Sequence, residues 1–270
     1  MTSDHPTPAV VERYSPRLAR FFELWLRRYF AKNFDAVRVC RSGRPPEDRQ
    51  GPILVYSNHP SWWDPIHFLL LARLVLPKRR MFGPFEAAAL EQYGFFQRLG
   101  AFGIETTSRR GAADFLRTCR GILEMPDATL WITAQGEFSD PRRRPVELRP
   151  GLAHLVRRLD TGLVVPLAVE YPFWNERRPE ALSCFGTPIA LDGSSRESSV
   201  ESWNQRLEKA LQETMDRLAG VAQERQPALF DSLVEGRTGI GGVYDAWRRA
   251  KATMRGETFD ASHGQDRRGQ

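Results

Sequence analysis

The stretch Tyr56-Ser57-Asn58-His59-Pro60-Ser61-Trp62-Trp63-Asp64-Pro65 decides how this chain is read. It follows Ile53-Leu54-Val55-Tyr56, an apolar run with the length and composition of a buried strand. It precedes Ile66 to Leu76, whose apolar residues suit a helix packed on that strand. His59 therefore stands where a strand hands over to a helix, and Asp64 falls near the first helical turn. From there the carboxylate can fold back onto the imidazole. An Asp–imidazole hydrogen bond fixes the ring tautomer, stabilises the imidazolium and leaves the second ring nitrogen as a general base.

A histidine and an aspartate five residues apart also fit a loop histidine capped by its neighbour. The whole run N-H-x-x-x-x-D after an apolar strand is more specific. It resembles the signature of the glycerolipid acyltransferase superfamily, which moves a fatty acyl group from a CoA or carrier-protein thioester to an acceptor hydroxyl. The resemblance implies His59 as base and Asp64 as its orienter, with no acyl-enzyme serine or cysteine. It implies no cofactor; acyl-CoA or acyl carrier protein enters as substrate.

Three further blocks carry the resemblance from about residue 50 to 170. Gly100 to Thr106 stands where the family has a glycine-led strand ending in arginine. Ala134-Gln135-Gly136-Glu137-Phe138-Ser139 stands where it has proline-glutamate-glycine-threonine-arginine-serine, and Val165-Pro166 matches a hydrophobic strand with Val-Pro. The departures bear on the acceptor. Thr106 and Phe138 replace two arginines that the family uses on the acceptor's phosphate, a task suited to the bidentate guanidinium. Gln135 replaces the glutamate, with a carboxylate two residues on at Glu137. The implied acceptor is a lipid hydroxyl without that phosphate, not ordinary lysophosphatidic acid. Arg109, Arg110 and the run Arg142 to Arg144 are the alternative phosphate holders; the competing reading of each is a solvated basic face. The substrate-facing set is thus Asn58, Ser61, Thr106 and Arg109, with Gln135, Gly136, Glu137 and Phe138. Backbone amides around Gly136 are candidates for the oxyanion site.

The whole chain sets outer bounds. Its 270 residues form one large domain or a domain with appendages, and a formal charge of +6 favours anionic partners such as lipid headgroups or phosphorylated substrates. No basic-aromatic module of a nucleic-acid binder is present. Cys40, Cys119 and Cys184 are widely spaced, which argues against a zinc site or a disulfide framework and for a reducing, cytoplasmic setting. His67 lacks the second ligand cluster that a metal site with His59 and Asp64 would need. The first residues do not read as a signal peptide, and the longest apolar run is interrupted by Arg73, so a lipid enzyme of this kind would lie peripherally on the inner face of the cell membrane.

Along the chain, the fold expected is α/β, a mixed central sheet flanked by helices. Residues 1–35 read as a disordered tail to residue 14, then an amphipathic helix with Ser15 as N-cap and Pro16 in its first position. Its apolar stripe of Leu18, Phe21, Phe22, Trp25, Leu26, Tyr29 and Phe30 is bordered by arginines, which suits a membrane interface or packing on the domain. Residues 36–192 read as the acyltransferase domain. Within it, Phe85 to Arg98 has helical periodicity broken at Gly94, Pro166 marks a bulge or an edge strand, and Ser183 to Ile189 is a last strand. Residues 193–270 read as a helical C-terminal region with a polar tail, including a long helix from Val200 to Ala222, a glycine-rich loop over Gly236–Gly242 that lacks a phosphate-loop ending, and a helix from Val243 to Met254. Rival functions are a lipid-binding relative without catalysis and a thioesterase that uses water as acceptor.

Overall fold

The computed structural model describes residues 8–41, 44–45, 51–105 and 108–236. The strand predicted before the histidine is β2 (Ile53–Ser57), buried at every position. A strand without inside–outside alternation must be covered on both faces, and this one is. Ile53 and Val55 pack with Phe68, Leu71 and Val75 of α3 (Asp64–Val75). Leu54 and Tyr56 face the other way, toward Ile122, Leu155, Leu207 and Leu211. Those residues lie on or beside α5 (Arg109–Leu123), α6 (Gly151–Val156) and α7 (Val200–Gln223). The result is a sheet between two helical layers, the α/β class expected.

The remaining strands are β1 (Ala36–Cys40), β3 (Arg80–Glu86), β4 (Ala101–Ile104), β5 (Ala128–Thr133), β6 (Thr161–Glu170), β7 (Ala181–Phe185), β8 (Ile189–Asp192) and β9 (Phe230–Glu235). They run in the order β4-β3-β5-β2-β6-β7-β1-β9, with β8 beside β6. β2 pairs in parallel with β5 and β6, so the three carry their C-terminal ends, and the loops that follow, to one edge of the sheet. β6 meets β7 and β8 antiparallel, which makes the sheet mixed.

Several segments differ from the sequence reading. Part of the tail expected to be disordered is ordered, as α1 (Ala9–Arg13). The helix expected from Phe85 begins only after β3, as α4 (Ala87–Gln92), and a 3-10 turn covers Gly94–Leu99. Gly83-Pro84 hides β3 in the sequence, and there the strand changes partner: Arg80–Phe82 pair with β5 and Gly83–Glu86 with β4. The last strand expected over Ser183–Ile189 is two strands, β7 and β8, broken between Phe185 and Ile189. Pro166 is in a central strand. The Leu163 amide donates toward β2, to Pro52 O, so by alternation Pro166 turns its missing N–H to the other side. On that side the pairing passes from β8, at Thr161–Val164, to β7, at Leu167–Glu170, and no ladder bond is lost.

The C-terminal region is not all helical. α7 matches its expected span and buries Leu207, Leu211, Met215 and Leu218, while Tyr56 donates its hydroxyl to Leu207 O at 3.0 Å. β9 then adds an antiparallel strand to β1. The glycine-rich loop beyond Gly236, the helix Val243 to Met254 and the polar tail lie outside the described residues. All three cysteines are buried free thiols.

α2 (Pro16–Asn33) starts as predicted: Ser15 Oγ accepts from the Leu18 amide, with Pro16 following. Its apolar stripe divides. Leu26 and Phe30, with Phe34 beyond the helix, pack on Val37, Ile66 and Leu70, whereas Phe21, Leu24 and Trp25 remain exposed. No helix among the described residues is long and apolar enough to cross a membrane.

Candidate active site

The loop from β2 to α3 holds His59 and Asp64 as the spacing predicts. The imidazole Nδ1–H donates to Asp64 Oδ2 at 2.6 Å. Asp64 is fully buried in the first turn of α3, whereas the His59 side chain keeps 17% of its surface open. The carboxylate takes further hydrogen bonds, from the Ser61 amide to Oδ2 at 3.1 Å and from the Tyr171 hydroxyl to Oδ1 at 2.7 Å. A buried carboxylate is costly unless its oxygens accept such hydrogen bonds. With Nδ1 committed to Asp64, Nε2 is the nitrogen available to a substrate proton.

The third block grips the histidine by its backbone. Gln135 Oε1 accepts the His59 amide at 2.9 Å, and the Ser139 amide donates to His59 O at 2.9 Å. This accounts for one departure from the family pattern: a glutamine offers the same accepting oxygen as a glutamate. Phe138 is exposed, and its ring centroid is 4.4 Å from that of His59. Glu137, Gln135 and Ser139 line a cavity of about 280 Å³ together with Arg143, Glu147 and Arg149.

Other expected substrate contacts are spent elsewhere. Asn58 is buried; its amide group donates to Val169 O at 3.0 Å and accepts the Val169 amide at 2.9 Å, stapling the end of β2 to β6. It supports the loop and does not face an acceptor. The Gly136 amide closes a turn onto Thr133 O and is unavailable as an oxyanion donor. Gly136 has φ +70°, and a Cβ there would collide with the Arg149 side chain. Ser61 Oγ accepts from the Trp63 amide, which makes it a turn residue. Arg109 is exposed at the start of α5, after β4. That strand lies three places from β2, roughly 14 Å at ~4.8 Å per strand, so Arg109 starts far to the side of His59. Thr106 lies outside the described residues.

The arginine run is paired off: Arg142 with Asp140 at 2.6 Å, Arg144 with Asp216 at 2.6 Å, and Arg143 more loosely with Glu147 at 3.9 Å. Arg149, packed over Gly136, is the cation that the sequence reading missed; it sits beyond the third block in sequence, and the turn folds it back. Tyr171 and the orientation of His67 were missed as well. His67, three residues after Asp64, is on the same side of α3. Its Nδ1 lies 3.1 Å from the Tyr171 hydroxyl and its Nε2 lies 3.3 Å from Ser183 Oγ. Burial pushes the imidazole down to about 3. Burial, followed by the charge of Asp64, holds the Tyr171 hydroxyl well above the usual phenol range. No group of metal-ligating side chains is assembled among the described residues.

This fold, with a histidine–aspartate pair at the carboxyl edge of a mixed sheet, coincides with a family match: residues 38–170 are matched by the Acyltransferase family. Over those residues, just under half of the chain, the match is to the Acyltransferase family, and it supports an acyltransferase in class. Among solved structures it is similar to the 1-acyl-sn-glycerophosphate (LPA) acyltransferase PlsC from Thermotoga maritima. That match has a TM-score of 0.49 and 14% identity, covering 75% of this chain and 80% of that one. No curated protein matches the sequence.

Proposed function

We propose that this protein transfers a fatty acyl group from an acyl thioester, of CoA or of acyl carrier protein, to the hydroxyl of a membrane lipid. The observation that carries the reading is the 2.6 Å bond between His59 Nδ1 and the buried Asp64, which leaves Nε2 as the base. Nε2 takes the acceptor's hydroxyl proton while the oxygen attacks the thioester carbonyl. The tetrahedral intermediate then collapses, the C–S bond breaks, and the imidazolium returns the proton to the departing thiolate. Asp64 stabilises the imidazolium between the two transfers.

The preferred acceptor lacks a terminal phosphate. Phe138 against His59 supports this, because an apolar ring fills the place where the resemblance calls for an arginine. Arg149 supports a second reading, in which it takes over the phosphate of a lysophosphatidic acid from beside Gly136. The exposed Phe21, Leu24 and Trp25 of α2, with exposed Trp62 in the histidine loop, support work at the inner membrane face. The test is a competition, with one acyl-CoA donor, between lysophosphatidic acid and a neutral lipid alcohol. Preference for the neutral acceptor is expected; preference for lysophosphatidic acid that is lost in Arg149→Ala would select the second reading.

A further inference from the structure

Asp64 is the inner end of a buried hydrogen-bond chain whose direction follows from proton counting. A carboxylate only accepts, so Tyr171 spends its single proton on Asp64 Oδ1, at 2.7 Å. The phenol oxygen must then accept from His67 Nδ1–H, at 3.1 Å. A neutral imidazole carries one proton, so His67 Nε2 in turn accepts from the Ser183 hydroxyl, at 3.3 Å. Each donor has one acceptor, and the order Ser183, His67, Tyr171, Asp64 admits no reversal while Asp64 is ionised. The depressed basicity of His67 keeps it in the neutral form this order requires.

The chain is enclosed. His67 and Ser183 are fully buried, and the rings of Phe30 and Phe34, from α2 and its end, lie 5.6 Å from His67 and 5.8 Å from Tyr171 respectively. Three separate elements supply it: α3 gives His67, β7 gives Ser183, and the segment leaving β6 gives Tyr171. Without Tyr171, Asp64 would keep only the Ser61 amide as a fixed donor, at the same oxygen that serves His59. The second oxygen would be unsatisfied in a buried place, and the carboxylate could turn away from the imidazole.

We propose that Tyr171 and His67 are positioning residues for acyl transfer: the phenol locks Asp64 with one oxygen on His59, and the buried imidazole locks the phenol. This rests on His59 being the base. His67 is fully buried and the Tyr171 hydroxyl is engaged by Asp64 and His67, so their loss should lower kcat and leave KM near its wild-type value. A hydrogen bond to a charged group is lost in Tyr171→Phe, and the expected fall in kcat is about tenfold or more. The effect of His67 passes through the Tyr171 hydroxyl, so the two should not be additive.

The experiment measures kcat, KM and thermal melting for Tyr171→Phe, His67→Leu, His67→Asn and the Tyr171→Phe/His67→Leu double variant, with His59→Ala as control. The expected result is a kcat defect in Tyr171→Phe at unchanged KM, and a defect in His67→Leu that disappears in the Tyr171→Phe background. Rescue is expected in His67→Asn, whose amide nitrogen stands near the place of Nδ1. If His59→Ala is inactive while Tyr171→Phe turns over like the wild type, the inference fails and the base remains. If His59→Ala stays active, the functional reading fails instead. Equal losses from His67→Leu in both backgrounds would reduce His67 to a structural residue and overturn its role. Should Tyr171→Phe not fold, equal kcat in His67→Leu and His67→Asn overturns the inference in its place.

Discussion

Phe138 stands with its ring 4.4 Å from the ring of His59, centroid to centroid, and keeps 62% of its own surface exposed. An exposed aromatic beside the proposed base presents an apolar wall to whatever hydroxyl approaches Nε2. It repels nothing, but it offers no donor to a phosphate. Phe138→Arg should therefore raise activity on lysophosphatidic acid relative to a neutral lipid alcohol by about 10- to 100-fold, the worth of one charge-assisted hydrogen bond of ~1.5–3 kcal/mol. Competition assays on the two acceptors check this. An unchanged ratio would mean that the acceptor headgroup does not reach position 138.

Removing the base or its orienter should be far more damaging. His59→Ala and Asp64→Asn are each expected to lower thioester-dependent transfer by roughly 10²- to 10⁴-fold. His59 is partly open to solvent, so its truncation should leave the far-UV circular dichroism and the melting temperature close to wild type. Asp64 is fully buried with three donors on it, and Asp64→Asn should also lose some stability. Turnover near the wild-type rate in His59→Ala would end the general-base reading.

The two sides of α2 separate a membrane role from a folding role. Leu26 and Phe30 are core, so deleting the helix would open the domain and say little about lipid. Phe21→Ser with Trp25→Ser changes exposed positions only. Transferring one large apolar side chain from water is worth ~1.5–3 kcal/mol when complete, so vesicle affinity should fall about tenfold or more in the pair. Sedimentation with anionic vesicles measures it, and equal binding by variant and wild type would move the contact surface elsewhere.

How much of this was readable from the chain depended on how strongly each segment advertises itself. β2 and α3 are apolar because the sheet is covered on both faces, and their junction alone puts the histidine and aspartate within reach of each other. β3 and β9 were hidden for opposite reasons. Gly83-Pro84 is what a partner change in β3 needs, yet it reads as a strand breaker. β9 is an edge strand with only Phe230 buried, so it shows no apolar face. Tyr171 and Arg149 were hidden because their meaning lies in non-local contacts: Tyr171 is 107 residues from Asp64, and Arg149 returns to Gly136 through a long turn.

His67 gives a prediction about acid stability whose sign follows from its burial. The folded imidazole is pushed from an ordinary 6.5 down to about 3 because the charged form would be desolvated. Between those values the unfolded chain binds a proton at this site and the folded chain does not, so stability rises with pH through the window. Its contribution is fully present above about 6.5 and is lost as the pH falls toward 3, at up to about 1.4 kcal/mol per pH unit. Other groups also titrate in this range, so the test is a difference. Urea unfolding of wild type and His67→Asn at pH 7, 5.5 and 4.5 should show the wild type losing more stability with each step, because asparagine has no proton to gain. The same neutral imidazole is the donor that the Tyr171 hydroxyl needs, so acid that charges His67 would also disturb the support behind Asp64. Parallel stability curves for the two proteins would mean that His67 reaches solvent before the fold opens, and that the enclosure by Phe30 and Phe34 does not hold in solution.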